Sequence, residues 1–192
     1  MSITTVNIPI QDQMVSEDIF LQSELDAGIH HNNPAFMNLC HAAVNAVKDL
    51  PIKTVLDFGP GTGCYAEAFY RSGYDVQLWE KFQVHRDYIN KHLPHLKIVD
   101  SVPTTDLLVF IEVAEHMTDG ELDELLTKIS PKYILFSSTS ERTAWDLAWG
   151  HINIKEQPEW VELFKKYGYK LIGQPNVPTE WSKLFERHGS AV

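Results

Sequence analysis

Val55-Leu56-Asp57-Phe58-Gly59-Pro60-Gly61-Thr62-Gly63 carries an apolar run and an acid directly into three glycines within five residues. The apolar start reads as a short buried strand, and Tyr65 to Ser72, stopped by Gly73, reads as the helix that follows. Glycines between a strand and a helix let the backbone pass tightly beneath a ligand and leave the helix N-terminus open to polar groups. Two common nucleotide loops fail on spacing. A G-x-G-x-x-G nicotinamide fingerprint counted from Gly59 and Gly61 needs glycine at the position of Cys64, and no Gly-Lys-Ser/Thr follows to make a Walker loop. What stands is Asp-x-Gly-x-Gly-x-Gly, with the acid at Asp57.

Outward from this loop, the pattern alternates strand and helix. Asp75 to Trp79, Leu96 to Val99, Leu107 to Ile111 and Tyr133 to Ser137 read as strands. Helices are expected over Val84 to Leu93, from Thr118 (a capping box with Glu121) through Ile129, and over Pro158 to Tyr167. Tyr169 to Ile172 and Trp181 to Glu186 suit a closing antiparallel pair. Upstream, residues 1–15 read as an irregular arm and Ser16 to Leu25 as a short helix. A longer helix starts at Asn33-Pro34 and ends at Pro51, with Phe36, Leu39, Cys40, Ala43, Val44 and Val47 at helical spacing. The stripe of Phe36, Met37 and Leu39 reads as core. These signals predict a Rossmann-like, doubly wound α/β fold: a mostly parallel, seven-stranded sheet in three α/β/α layers. Residues 1–50 form a helical N-terminal extension or lid, and residues 51–192 the main domain.

Composition narrows the classes. The chain has 192 residues, 44% of them hydrophobic, enough for one sizeable core. With 16 Lys plus Arg against 26 Asp plus Glu, the net charge is −10, which disfavours nucleic-acid backbones and anionic membranes. Two cysteines make no disulfide framework. Cys64, at the helix start, reads as a small packing residue. No stretch reaches the ~18 apolar residues of a membrane span, and Met1 to Gln13 lacks a signal-peptide pattern. A cytoplasmic monomer or homodimer is the expectation.

From about Val55 to Glu186 the chain resembles the class I S-adenosylmethionine (SAM) methyltransferases, with the glycine loop as their motif I. Tyr74 to Glu80 ends in an acid at the tip of the second strand. Asp100 and Ser101 follow the third, and Asp106 to Met117 (DLLVFIEVAEHM) matches the fourth motif. The resemblance implies SAM as cofactor. Asp57, Gly59, Gly61 and Gly63 would hold its amino-acid end, Glu80 its ribose hydroxyls, and Phe82, Asp100 and Ser101 would border the adenine. Glu112, at the end of the fourth strand, would wall the methionine half.

Methyl transfer from a sulfonium mainly needs an aligned nucleophile, and a base only where the acceptor must lose a proton. The candidate base lies in the group Glu112, Glu115, His116 and His151, with Glu115, His116 and His151 as the candidate catalytic residues, although His116 also suits a structural histidine. His30 and His31 read as loop residues or as part of a lid. Trp145 and Trp149 would either cover the acceptor or pack on the core. The preferred reading is O- or N-methylation of a small-molecule acceptor, with no metal. Glu112-x-x-Glu115-His116 with a later histidine also resembles the metal site of small-RNA 3′-terminal 2′-O-methyltransferases, so metal-assisted RNA methylation is the alternative. A non-catalytic methyltransferase-like binding module is the other.

Overall fold

Residues 16–189 are described by a computed structural model; the expected irregular arm, residues 1–15, lies outside them. The periodicity of the strands dictates the layering. Val55, Leu107 and Val109 pack into one apolar cluster, while Leu56, Leu108 and Phe110 pack into another on the opposite face. Side chains alternate across a strand, so two covered faces make the run apolar throughout.

Seven strands form one sheet: β1 (Thr54–Phe58), β2 (Asp75–Trp79), β3 (Lys97–Ile98), β4 (Leu107–Ile111), β5 (Tyr133–Ser137), β6 (Tyr169–Gly173) and β7 (Lys183–Arg187). Their order is β3-β2-β1-β4-β5-β7-β6. The first five are parallel, and β7 is antiparallel to both β5 and β6. One face is covered by α2 (Pro34–Val47), α3 (Cys64–Arg71) and α4 (Gln83–His92). The other is covered by α5 (Asp119–Lys128) and α7 (Gln157–Lys166), through Leu122, Leu125, Leu126, Trp160 and Phe164. This is the expected doubly wound fold.

Local chemistry sets the ends. The Asn33 side chain accepts from the Ala35 amide at the start of α2, and Thr118 and Glu121 complete the capping box of α5. Three expectations shift. The second helix ends at Val47, well before Pro51, because the chain leaves it through a turn closed by Leu50 N–H donating to Val47 O. The third strand is only two residues long, since β3 pairs on one side only, with β2. A short helix, α6 (Ala144–Ala148), stands in the apolar segment after β5; the side chains of Trp145 and Leu147 lie outside the described residues.

The helix α1 (Glu17–Asp26) buries none of its residues. It lies across the carboxyl ends of the strands, where Phe20 meets Phe82, His85, His116 and Trp149 at ring-centroid distances of 5.1 to 6.3 Å. Among the described residues, no helix is long and apolar enough to cross a membrane.

Candidate functional site

The chain moves outward from β1 in one direction through β2 and β3, and in the other from β4 onward. A crevice opens where the order reverses, at the carboxyl ends of β1 and β4. A cavity of about 1120 Å³ fills that crevice. Asp57, Gly59, Gly61, Glu80, Phe82, Asp100, Ser101, Glu112 and His116 all line it.

The glycine loop is shaped for close approach. Gly59 and Gly61 have φ of +69° and +54°, in the left-handed region. A Cβ on Gly59 would stand 2.8 Å from Val113 Cγ2, and one on Gly61 would stand 2.8 Å from Glu24 Oε1. Gly63 has a different place from the one expected. It is not among the lining residues, and it starts α3 with its α-carbon face against Ile89 and Leu93. Its neighbours Thr62 and Cys64 do line the cavity.

Two carboxylates brace the loop. Asp57 Oδ2 accepts from the Ala66 amide at 2.9 Å, and burial pushes its carboxyl up to about 7 against that bond. Glu80 accepts from Gly61 N at 3.2 Å and Phe82 N at 2.8 Å, one amide per oxygen. Each oxygen keeps a second lone pair, and burial raises the group above the usual carboxylate range. Asp100 sits at the rim, paired with Arg86 at 2.7 Å.

Glu112 has φ +52°, rare for a residue with a side chain and often a mark of functional strain. Its Oε1 accepts from Ser137 Oγ and from Trp181 Nε1, the latter at 2.9 Å. Glu115 is fully buried, and its Oε2 accepts from Ser138 Oγ at 2.8 Å. Burial, then the adjacent Glu112, raises it well above the usual carboxylate range. The His116 and His151 rings meet edge to face at 4.6 Å. Burial, reinforced by His151, lowers His116 to about 4, and burial lowers His151 as well.

A second chamber of about 240 Å³ adjoins the first. Glu115 and His151 line it without lining the main cavity, whereas Phe20, Glu24, Ile29, Glu112, His116 and Trp149 line both. The candidate ligand atoms of Glu115, His116 and His151 all lie within 4.8 Å of one another. Glu115 Oε1 is buried without a hydrogen-bond partner among the described residues, and so is His151 Nδ1, which lies 3.4 Å from Asp146 Oδ1. Such atoms suit a bound ligand, water or ion.

Several wall residues were not anticipated from sequence. Phe20 and Glu24 come from α1, and Glu24 Oε2 lies 2.8 Å from the buried His85 Nε2. Pro178 and Thr179 come from the segment before β7. Of the expected core stripe, Met37 is buried, but Phe36 and Leu39 line the cavity, since α2 overhangs the crevice at its first turns. Cys64 is buried and its thiol is pushed up to about 12 by burial, as suits a packing residue. The His31 ring lies tilted against that of His92 at 5.9 Å, and neither His30 nor His31 lines either space.

Protein-family models gave no match to this chain, and neither did curated protein sequences. Solved structures do match. The mitomycin 7-O-methyltransferase MmcR superposes with TM-score 0.60 at 17% identity, covering 91% of this chain and 61% of its own. The pyocyanin biosynthetic protein PhzM gives 0.61 at 16% identity, covering 90% and 62%. The 16S rRNA methylase ArmA gives 0.59 at 13% identity, covering 90% and 98%. The chain thus spans about three fifths of the length of MmcR and PhzM. At these identities the likeness establishes the fold.

Proposed function

The chain has the class I methyltransferase fold, and we propose that it is a SAM-dependent methyltransferase acting on an O or N atom of a small-molecule acceptor. One observation carries this reading: the left-handed Gly59 and Gly61, with the Glu80 carboxylate that accepts from the Gly61 amide, line one side of a roomy cavity at the β1/β4 crevice. That cradle fits the cofactor's chemistry. Glu80 has free lone pairs for two ribose hydroxyls, backbone groups of the Gly59–Gly61 turn hold the amino-acid end, and Phe82 and Asp100 flank the base. Bound SAM supplies a methyl group on a positively charged sulfur. Glu112, pinned by Ser137 and Trp181, stands in the wall shared by the two spaces. A proton leaving the acceptor has Glu115, His116 and His151 near to receive it. MmcR and PhzM, by their names, belong to small-molecule chemistry, and the −10 charge agrees with an acceptor that is not nucleic acid.

Calorimetric titration with SAM and S-adenosylhomocysteine tests this. The parent binds both, and Glu80→Ala loses charge-assisted hydrogen bonds of about 1.5–3 kcal/mol, a weakening of roughly ten- to over a hundredfold. A folded parent that binds neither compound would end the reading.

The convergence of Glu115, His116 and His151 favours a second reading, metal-assisted methylation of an RNA 2′-hydroxyl. Two imidazoles and a carboxylate suit a first-row divalent ion. ArmA shows that the fold also serves an rRNA methylase. Methylation of an RNA 3′ end that stops with chelator and returns with manganese would establish it over the first. Small-molecule methylation undisturbed by chelator would exclude it.

A further inference from the structure

We propose that the 240 Å³ side chamber is the acceptor subsite, and that it selects a compact, ring-bearing acceptor offering a hydroxyl or amine, against acceptors that carry an anionic group. This rests on the methyltransferase reading and adds to it the substrate class.

Size is the first constraint. An engineered apolar cavity of about 150 Å³ accommodates benzene, so the chamber holds a single substituted ring and little more. Its wall chemistry is the second. Phe20 and Trp149 meet edge to face at 5.1 Å, and Phe20 and His116 do so at 5.9 Å. With the His116–His151 pair these rings give a planar guest faces and edges to stack on.

Charge is the third. Glu24, Glu112 and Glu115 line the chamber, and among the described residues no lysine or arginine does. A carboxylate or phosphate placed there would find no fixed cation to offset its desolvation, which is costly. A hydroxyl or ammonium finds acceptors instead. Glu112, whose Oε1 accepts from Ser137 and Trp181, is held in place in the chamber wall.

The roof sets the shape. Phe20, Ser23, Glu24 and Ala27 share one face of α1 and its C-cap, at spacings of three, four and seven residues. Ser23 and Ala27 line only the side chamber, not the main cavity. Ala27 is exposed and ends α1 with right-handed backbone angles, so it tolerates a larger side chain.

The test is calorimetry with the full chain saturated by S-adenosylhomocysteine, titrated with catechol, tyramine, benzoate and phenyl phosphate. Catechol and tyramine are expected to bind at least tenfold more tightly than the two anions. Ala27→Leu is expected to weaken catechol and tyramine at least tenfold while S-adenosylhomocysteine binds within twofold of the parent. Anions binding as tightly as catechol would overturn the charge argument. No binding by any of the four, with S-adenosylhomocysteine bound, would overturn the subsite. Ala27→Leu leaving catechol unaffected would do the same. If S-adenosylhomocysteine itself does not bind, the failure belongs to the methyltransferase reading, and the subsite falls with it.

Discussion

Gly59→Ala isolates the feature on which the crevice depends. The substitution carries two separable costs. At φ +69° an alanine stands in the left-handed region, at about 1–2 kcal/mol. Its Cβ would also lie 2.8 and 3.0 Å from the two methyls of Val113, inside contact distance, and Val113 is a branched side chain with little freedom to yield. Overpacking of this kind costs typically ~1–3 kcal/mol. The single variant should therefore lose roughly 2–5 kcal/mol in a urea melt followed by tryptophan fluorescence, with an unchanged slope. In the Val113→Ala background the steric part disappears and only the backbone part, about 1–2 kcal/mol, remains. The double-mutant cycle should then show a favourable coupling of about 1–3 kcal/mol. A cycle with no coupling would refute the close approach of β1's loop to the segment after β4. A Gly59→Ala loss below about 0.5 kcal/mol would refute the left-handed requirement as well.

Asp57 gives a pH signature. Burial raises its carboxyl from 3.8 to about 7, so between those values the folded chain holds a proton that the unfolded chain has released. Its contribution to stability therefore falls as pH rises through that window, and Asp57→Asn should flatten the decline; identical profiles for both proteins would refute this. Asn33→Ala removes the side-chain acceptor at the start of α2 and should cost about 1 kcal/mol in the same melts, where no change would show the cap to be idle. Cys40 and Cys64 are buried, and burial raises both thiols, so a thiol reagent at pH 8 should label neither until the chain unfolds. Labelling of the native protein would contradict the packing described for α2 and α3.

The sheet was legible because its signals are local. Asp75 to Trp79, Leu107 to Ile111 and Tyr133 to Ser137 coincide with β2, β4 and β5, since each apolar run is bounded by turn or polar residues. The glycine loop was legible for the same reason: left-handed turns need glycine, and glycine is visible. What the sequence hid are contacts between distant segments. The apolar residues of the first helix, Ile19, Phe20 and Leu25, do not reveal that Phe20 reaches Phe82, His116 and Trp149. Nothing near Glu24 indicates that it lies against Gly61 and His85. The motif groups Gly63 with Gly59 and Gly61, whose left-handed backbone it shares, but did not reveal that it packs on Ile89 and Leu93. The stripe around Met37 was read as core as a whole, but only part of a helix face is covered when the helix overhangs a crevice.

A crystal structure of the chain with S-adenosylhomocysteine measures directly whether this crevice holds SAM in a defined orientation. Both ribose hydroxyls are expected on Glu80, the amino-acid end over the Gly59–Gly61 turn, and the sulfur facing the chamber lined by Glu112 and His116. A bound cofactor whose ribose lies away from Glu80, or whose sulfur points away from that chamber, would contradict this orientation.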